Sequence, residues 1–202
     1  MCVILHKTNH VKEQDIADAY EYNSDGFGVM YRENGKVVVD KGLYTLETVL
    51  HKLWYLRDIE YVAHFRITTR GKTNHQNCHP FQVSDNVWMM HNGTLNINID
   101  NPNMSDTWHF SQLLQSTKIT QRLLDYIPAL TGTDRMIFMG RKNIHKIGQW
   151  EFYNKNEWSN LNWQFSSFYR DEELDDRSYI EWVEQYGSHW ATEQDQYNGY
   201  YN

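Results

Sequence analysis

The sequence predicts a layered α+β fold, because strand-like and helix-like stretches come in blocks instead of strict alternation. Two further observations agree. An Asn34-Gly35 pair joins two alternating stretches, a hairpin signal that calls for antiparallel pairing. The chain has 202 residues, 40% hydrophobic and 15% aromatic. That is enough to bury a full core without disulfides or metals.

Residues 2–6 open the chain as a short buried strand. Residues 13–22 follow as a helix carrying Ile16, Ala17, Ala19 and Tyr20. Residues 26–32 and 36–40 alternate as the arms of the hairpin. Residues 46–56 read as a helix, since Leu46, Val49, Leu50, Leu53 and Trp54 share one face. Residues 61–66 and 87–91 are strand-like, and the polar stretch 68–82 between them has the length of a functional or a disordered connection. Ser105 and Asp106 can cap a helix containing Trp108, Phe110, Leu113 and Leu114. Residues 121–130 form another helical stretch, which Pro128 is expected to cut. Residues 135–140 and 145–153 then read as two strands around a tight turn. Trp150, Phe152, Trp158 and Trp163 are expected in strands and core, because aromatic side chains dominate burial.

The net charge of −7 is unevenly spread. Residues 170–202 hold nine acids against two bases, so the whole excess sits there and residues 1–169 are neutral. The expected organisation is therefore one domain over 1–169 and an acidic, aromatic extension over 170–202. Within the extension, residues 179–186 can form an amphipathic helix and 194–202 a loose end. This balance argues against direct nucleic-acid binding. No apolar run approaches the roughly 20 residues of a membrane span. The first residues also lack the basic and apolar regions of a signal peptide. Two cysteines, Cys2 and Cys78, do not suggest a disulfide framework, and a reducing, cytoplasmic setting is expected.

Cys2 is the first residue with chemical promise. A small residue in second position generally permits removal of the initiator Met1, which would leave a cysteine with its thiol and a free α-amine on one carbon. Such an amine titrates at about 7.7–8.0 and can accept the thiol proton, so the nucleophile needs no separate histidine base. The competing reading is a small apolar residue starting a buried strand. Three further segments favour chemistry. His64-Phe65-Arg66-Ile67-Thr68-Thr69-Arg70-Gly71 ends a strand with a cation, and Asn77-Cys78-His79-Pro80 follows in the polar stretch. A strand then runs into His91-Asn92-Gly93, where a carboxamide and a backbone N–H can converge as an oxyanion hole. Ser105-Asp106-Thr107 adds a carboxylate at a helix start. A nucleophile, oxyanion donors, a cation and an anion suit a molecule with an amide, a carboxylate and an ammonium group, as glutamine has.

In this order the motifs resemble the class II glutamine amidotransferases, a branch of the N-terminal-nucleophile (Ntn) hydrolases. The likeness runs from Cys2 through the turn Asn23-Ser24-Asp25-Gly26-Phe27-Gly28 to Ser105-Asp106-Thr107, and covers roughly residues 2–165. It implies a four-layer αββα sandwich of two antiparallel sheets between helices. It also implies Cys2 as nucleophile, with Asn92 and the Gly93 N–H as oxyanion hole. Arg66 would hold the substrate carboxylate and Asp106 its ammonium group, with Thr69, Arg70 and His79 lining or bracing the pocket.

Three positions depart from the family pattern. Val3-Ile4-Leu5-His6 replaces a Gly-rich run, Ile67 stands where Trp is common, and Arg70 stands where His is common. Arg70 would reinforce carboxylate binding or admit another acyl substrate.

The implied activity is hydrolysis of L-glutamine to glutamate and ammonia, with a separate synthase as ammonia acceptor. Small stand-alone members of this kind occur in bacteria and tailed phages. Two alternatives are an N-terminal-Cys amidohydrolase acting on another small amide and a catalytically idle Ntn-fold interaction module. Ten histidines raise zinc binding at His75-x-x-Cys78-His79. No second ligand pair lies at a standard interval, so neither a metal nor a cofactor is expected.

Overall fold

Val3, Ile4 and Leu5 are all fully buried. Successive strand residues point to opposite sides, so three buried in a row require a strand covered on both faces. That is the setting of the first strand in the computed structural model, which describes residues 1–164. The expected extension at 170–202 lies outside the described residues. Along the chain run β1 (Val3–Lys7), α1 (Glu13–Tyr22), β2 (Phe27–Glu33), β3 (Lys36–Leu43), α2 (Leu46–Tyr55) and β4 (Tyr61–Phe65). Then come β5 (Phe81–Ser84), β6 (Val87–Asn92), α3 (Asp106–Gln115), α4 (Gln121–Thr131), β7 (Arg135–Met139), β8 (Ile144–Ile147), β9 (Glu151–Tyr153) and β10 (Asn156–Trp158).

Two antiparallel sheets result. The larger has the order β3-β2-β4-β1-β10-β9, the smaller β5-β6-β7-β8. Val3 and Leu5 turn to the outer side of the larger sheet, where they pack with Ile16 and Ala19 of α1 and Val49, Leu50 and Leu53 of α2. Ile4 turns the other way and meets Met30 and Val62 of its own sheet and Met90, Ile137 and Met139 of the smaller one. The smaller sheet's outer side, with Met89, Met136 and Phe138, is covered by Phe110 and Leu114 of α3 and Leu124 and Ile127 of α4. The order helices, sheet, sheet, helices is the expected four-layer sandwich.

Local chemistry sets the boundaries. Asn34 and Gly35 both sit at positive φ (49° and 73°), as the tight β2–β3 turn requires. The Thr45 hydroxyl accepts the Thr48 N–H at 3.2 Å and starts α2. The Ser105 hydroxyl accepts the Trp108 N–H at 3.1 Å and starts α3 as expected. Among the described residues, no helix is long and apolar enough to cross a membrane.

Four expectations need correction. Pro128 does not cut its helix: α4 continues to Thr131. The proline stands in the last turn, where its missing N–H forfeits one intrahelical bond while its own carbonyl still accepts from Gly132 N at 3.0 Å. Residues 145–153 are two strands in different sheets, separated at Gly148 (φ +84°), where a Cβ would fall 2.4 Å from the Asp134 carbonyl oxygen. The polar stretch after β4 contains the single 3-10 turn His75–Asn77 and then the short strand β5. Phe152 is not a core residue. It is 73% exposed on edge strand β9, whereas Trp158 and Trp163 are buried.

Candidate active site

The antiparallel register sets Val3 opposite Phe65, and Phe27 also opposite Phe65. Cys2, Arg66 and Gly26 therefore leave the larger sheet together at one end. The Arg66 N–H donates to the Gly26 carbonyl at 2.8 Å, and the Asp25 N–H returns to the Arg66 carbonyl at 2.9 Å. Two residues further, the Thr68 N–H donates to Asp25 Oδ2 at 2.6 Å. The turn at 23–28 thus clamps the backbone on both sides of Arg66.

Cys2 is half-buried. Its thiol donates to the Ile67 carbonyl at 3.4 Å, and its own carbonyl accepts from Asn160 Nδ2 at 2.9 Å. Burial pushes the thiol's pKa up. The Ile67 backbone, the Arg66 guanidinium and the terminal amine of Met1 pull it back, while Asp106 adds to the rise. A thiol held protonated in this way needs an adjacent base to become a nucleophile.

Arg66 is only 3% exposed. Its Nη2 donates to the Arg70 carbonyl at 3.3 Å, whereas Nη1 is buried without a hydrogen-bond partner. An open N–H on a buried guanidinium is costly unless an anion joins it, and guanidinium geometry matches a carboxylate. Asp106, the first residue of α3, is buried as well. Its Oδ2 accepts the Leu95 N–H at 2.7 Å and its Oδ1 the Thr107 N–H at 2.8 Å. The carboxylate thus sits at the N-terminal end of α3. Among the described residues, no ion pair joins Arg66 to Asp106.

Asn92 ends β6 on the facing sheet. Its carboxamide, through Nδ2, lies 2.8 Å from Ser159 Oγ, and its Oδ1 is buried without a partner. Gly93 follows, and here only glycine fits: a Cβ would lie 2.2 Å from the Asp134 carboxylate. That carboxylate contacts His91 Nε2 at 3.0 Å, and His91 Nδ1 contacts Thr107 Oγ1 at 2.9 Å. A polar chain from Asp134 through His91 to Thr107 thereby fixes the strand end that carries Asn92.

The remaining residues implied by the resemblance are placed unevenly. Thr69 and Arg70 are exposed. Arg70 Nη1 donates to the Leu95 carbonyl at 3.4 Å, so the two polar groups of the Leu95 backbone serve Arg70 and Asp106. His79 is buried, stacked on His64 at 3.8 Å between ring centroids. Burial pushes His64 down to about 3 and His79 well below its usual range, so both rings are neutral. His79 also meets the Phe81 ring edge-on, at 4.8 Å between centroids. The residues of the zinc alternative diverge: His75 packs at Gly42, Cys78 at Tyr44 and His79 on His64. Among the described residues, no group of three His, Cys, Asp or Glu could hold a metal ion.

Three neighbours of the site carried no sequence signal. Ser159 and Asn160 follow a three-residue strand that has no alternation to mark it. Tyr44 lies with its hydroxyl 3.7 Å from Cys78 Sγ. Burial and Cys78 push that phenol up to about 12, against the pull of Arg66.

Comparison with known proteins follows the same lines. Residues 12–129 match the family model of the class-II glutamine amidotransferases. The matched stretch contains Arg66, Asn92, Gly93 and Asp106, begins after Cys2 and ends before Ser159. A Haemophilus influenzae protein described as "Putative glutamine amidotransferase" is 32% identical over 102 residues, which is 47% of this chain and 33% of that one. The chain therefore spans about a third of that relative's length. Among solved structures, the glutamine phosphoribosylpyrophosphate amidotransferase of B. subtilis, complexed with ADP and GMP, superimposes with a TM-score of 0.53. At 13% identity it covers 78% of this chain and 41% of its own, and so supports the fold alone. A class-II domain protein from Silicibacter pomeroyi is similar at a TM-score of 0.40 and 15% identity, over 78% of this chain and 85% of its own. With more than half of its residues in the family match, the chain belongs to the class-II glutamine amidotransferases.

Proposed function

We propose that the protein hydrolyses L-glutamine with Cys2 as an N-terminal nucleophile, formed when Met1 is removed. The carrying observation is the buried, unpartnered Nη1 of Arg66 next to the segment that holds the Cys2 thiol. A substrate carboxylate would complete it. Met1 is 57% exposed and so open to removal.

In this reading Arg66 takes the α-carboxylate and Asp106 the α-ammonium group, while Thr69 and Arg70 lie at the rim. The freed α-amine of Cys2 accepts the thiol proton as sulfur attacks the γ-carboxamide carbon. The carbonyl oxygen becomes an oxyanion and accepts hydrogen bonds from the Asn92 carboxamide and the Gly93 N–H. Collapse breaks the C–N bond, the ammonium on Cys2 returns its proton to the leaving nitrogen, and ammonia departs. The remaining γ-glutamyl thioester is cleaved by water, which yields glutamate and restores the thiol. A separate synthase would consume the ammonia.

The test is glutamate release from glutamine by purified protein, with mass spectrometry of the N-terminus. We expect a mature chain beginning at Cys2, and we expect Cys2→Ala to abolish release while the fold persists by circular dichroism. Activity retained in Cys2→Ala would overturn the assignment. Retained Met1 with no glutamate release would favour an idle domain, and hydrolysis of other small amides alone would move the substrate.

A further inference from the structure

Ser159 joins the nucleophile strand to the candidate oxyanion hole. Its side chain is fully buried, and its oxygen accepts the Ile4 N–H at 2.8 Å. Its own N–H donates back to the Ile4 carbonyl, also at 2.8 Å. The same oxygen lies 2.8 Å from the Asn92 carboxamide on the facing sheet. One hydroxyl thus spans the two sheets, two residues after Cys2 and at the residue on which the oxyanion hole depends.

A hydroxyl offers one donor and two acceptor positions. The Ile4 N–H can only donate, so it takes one acceptor position. With Nδ2 of Asn92 facing the hydroxyl, the Ser159 O–H meets no acceptor among the described residues, and Asn92 Oδ1 is a buried oxygen without a partner among them. A half-turn of the nearly symmetric carboxamide resolves both at once. Ser159 then donates to Oδ1, and the NH₂ group becomes the end without a protein partner. Only that end can serve an oxyanion, since a carbonyl oxygen would repel one.

We infer that Ser159 is a positioning residue: held by the Ile4 N–H, its hydroxyl donates to Asn92 Oδ1 and turns the carboxamide N–H toward the substrate oxygen. The role rests on the glutamine-hydrolysis reading, and it acts only through Asn92. Asn160, by holding the Cys2 carbonyl, fixes the nucleophile from the same dipeptide.

The test compares Ser159→Ala, Ser159→Cys, Asn92→Ala and the Ser159→Ala/Asn92→Ala pair by steady-state glutamate release, with Cys2 alkylation by iodoacetamide as a second readout. Loss of a positioned donor typically lowers turnover by ~10²–10³. We expect Ser159→Ala to lower kcat by about tenfold or more, short of the Asn92→Ala loss, and to leave KM within about threefold. The double variant should be no slower than Asn92→Ala alone. Alkylation of Cys2, which forms no oxyanion, should keep its rate. If Ser159→Ala does not fold, Ser159→Cys, nearly the same size but a weak donor, should fold and show the same selective loss of kcat. An active wild type whose Ser159 variants keep their kcat overturns this role alone. So does a Ser159→Ala loss that multiplies with that of Asn92→Ala, or one matched by slower alkylation. A wild type with intact Cys2 at its N-terminus and no glutamate release overturns the hydrolase reading and this role with it.

Discussion

Arg66 and Asn92 each leave a buried polar atom without a partner among the described residues, a cationic N–H on one and a carboxamide end on the other. In the proposed reaction they act at different moments. Arg66 meets a carboxylate already charged in the ground state, whereas Asn92 meets charge that develops only during attack. Arg66→Ala should therefore act mainly on KM, since a hydrogen bond to a charged group contributes about 1.5–3 kcal/mol, or roughly 10- to 150-fold. Asn92→Ala should act mainly on kcat, by about 10²–10³. Initial rates of glutamate release over a range of glutamine concentrations distinguish the two. A kcat effect for Arg66→Ala with unchanged KM would contradict the assignment. Arg66, Asn92 and Asp106 were legible because short motifs announce them. Ser159 and Asn160 were not, because their importance comes from a contact made across most of the chain.

At the scale of elements, the long regular pieces were readable and the short ones were not. α1 was readable over its full length, and α2 to within a residue, because their apolar positions recur at the helical period. β5 and β10, of four and three residues, carry too few positions for any period, and pairing with neighbours defines them instead. Pro128 shows packing overriding a local rule. It sits beside the fully buried Ile127, and burial of α4 against the smaller sheet outweighs the lost hydrogen bond. Pro128→Ala restores an N–H able to reach the Leu124 carbonyl. We expect it to raise stability by about 1 kcal/mol in urea unfolding, less than the ~3 kcal/mol of a mid-helix proline. Equal or lower stability would show that the last turn gains nothing from that bond.

For the whole molecule, the pair His64 and His79 couples folding to pH. Burial holds His64 down to about 3 in the folded protein, against 6.5 for a free imidazole. Between those values the unfolded chain binds more protons, so stability falls as pH drops below about 6.5. The slope is at most about 1.4 kcal/mol per pH unit for each such group. Thermal melting should thus lose ground from pH 6.5 to 5. His64→Gln, able to keep the donor to the His91 carbonyl (3.1 Å in the native protein), should flatten that decline. An unchanged slope would assign the acid loss to other groups.

The bond between Ile4 and Ser159 spans 155 positions of sequence, and this has a consequence for synthesis on the ribosome. The candidate nucleophile emerges well before the residues that hold its strand and its carbonyl, which follow only after nearly all the described chain has been made. At roughly 5–20 residues per second the thiol waits on the order of ten seconds or more without its support. A translation product that stops short of Ser159 therefore carries the candidate nucleophile but lacks the two side chains that hold its strand and its carbonyl.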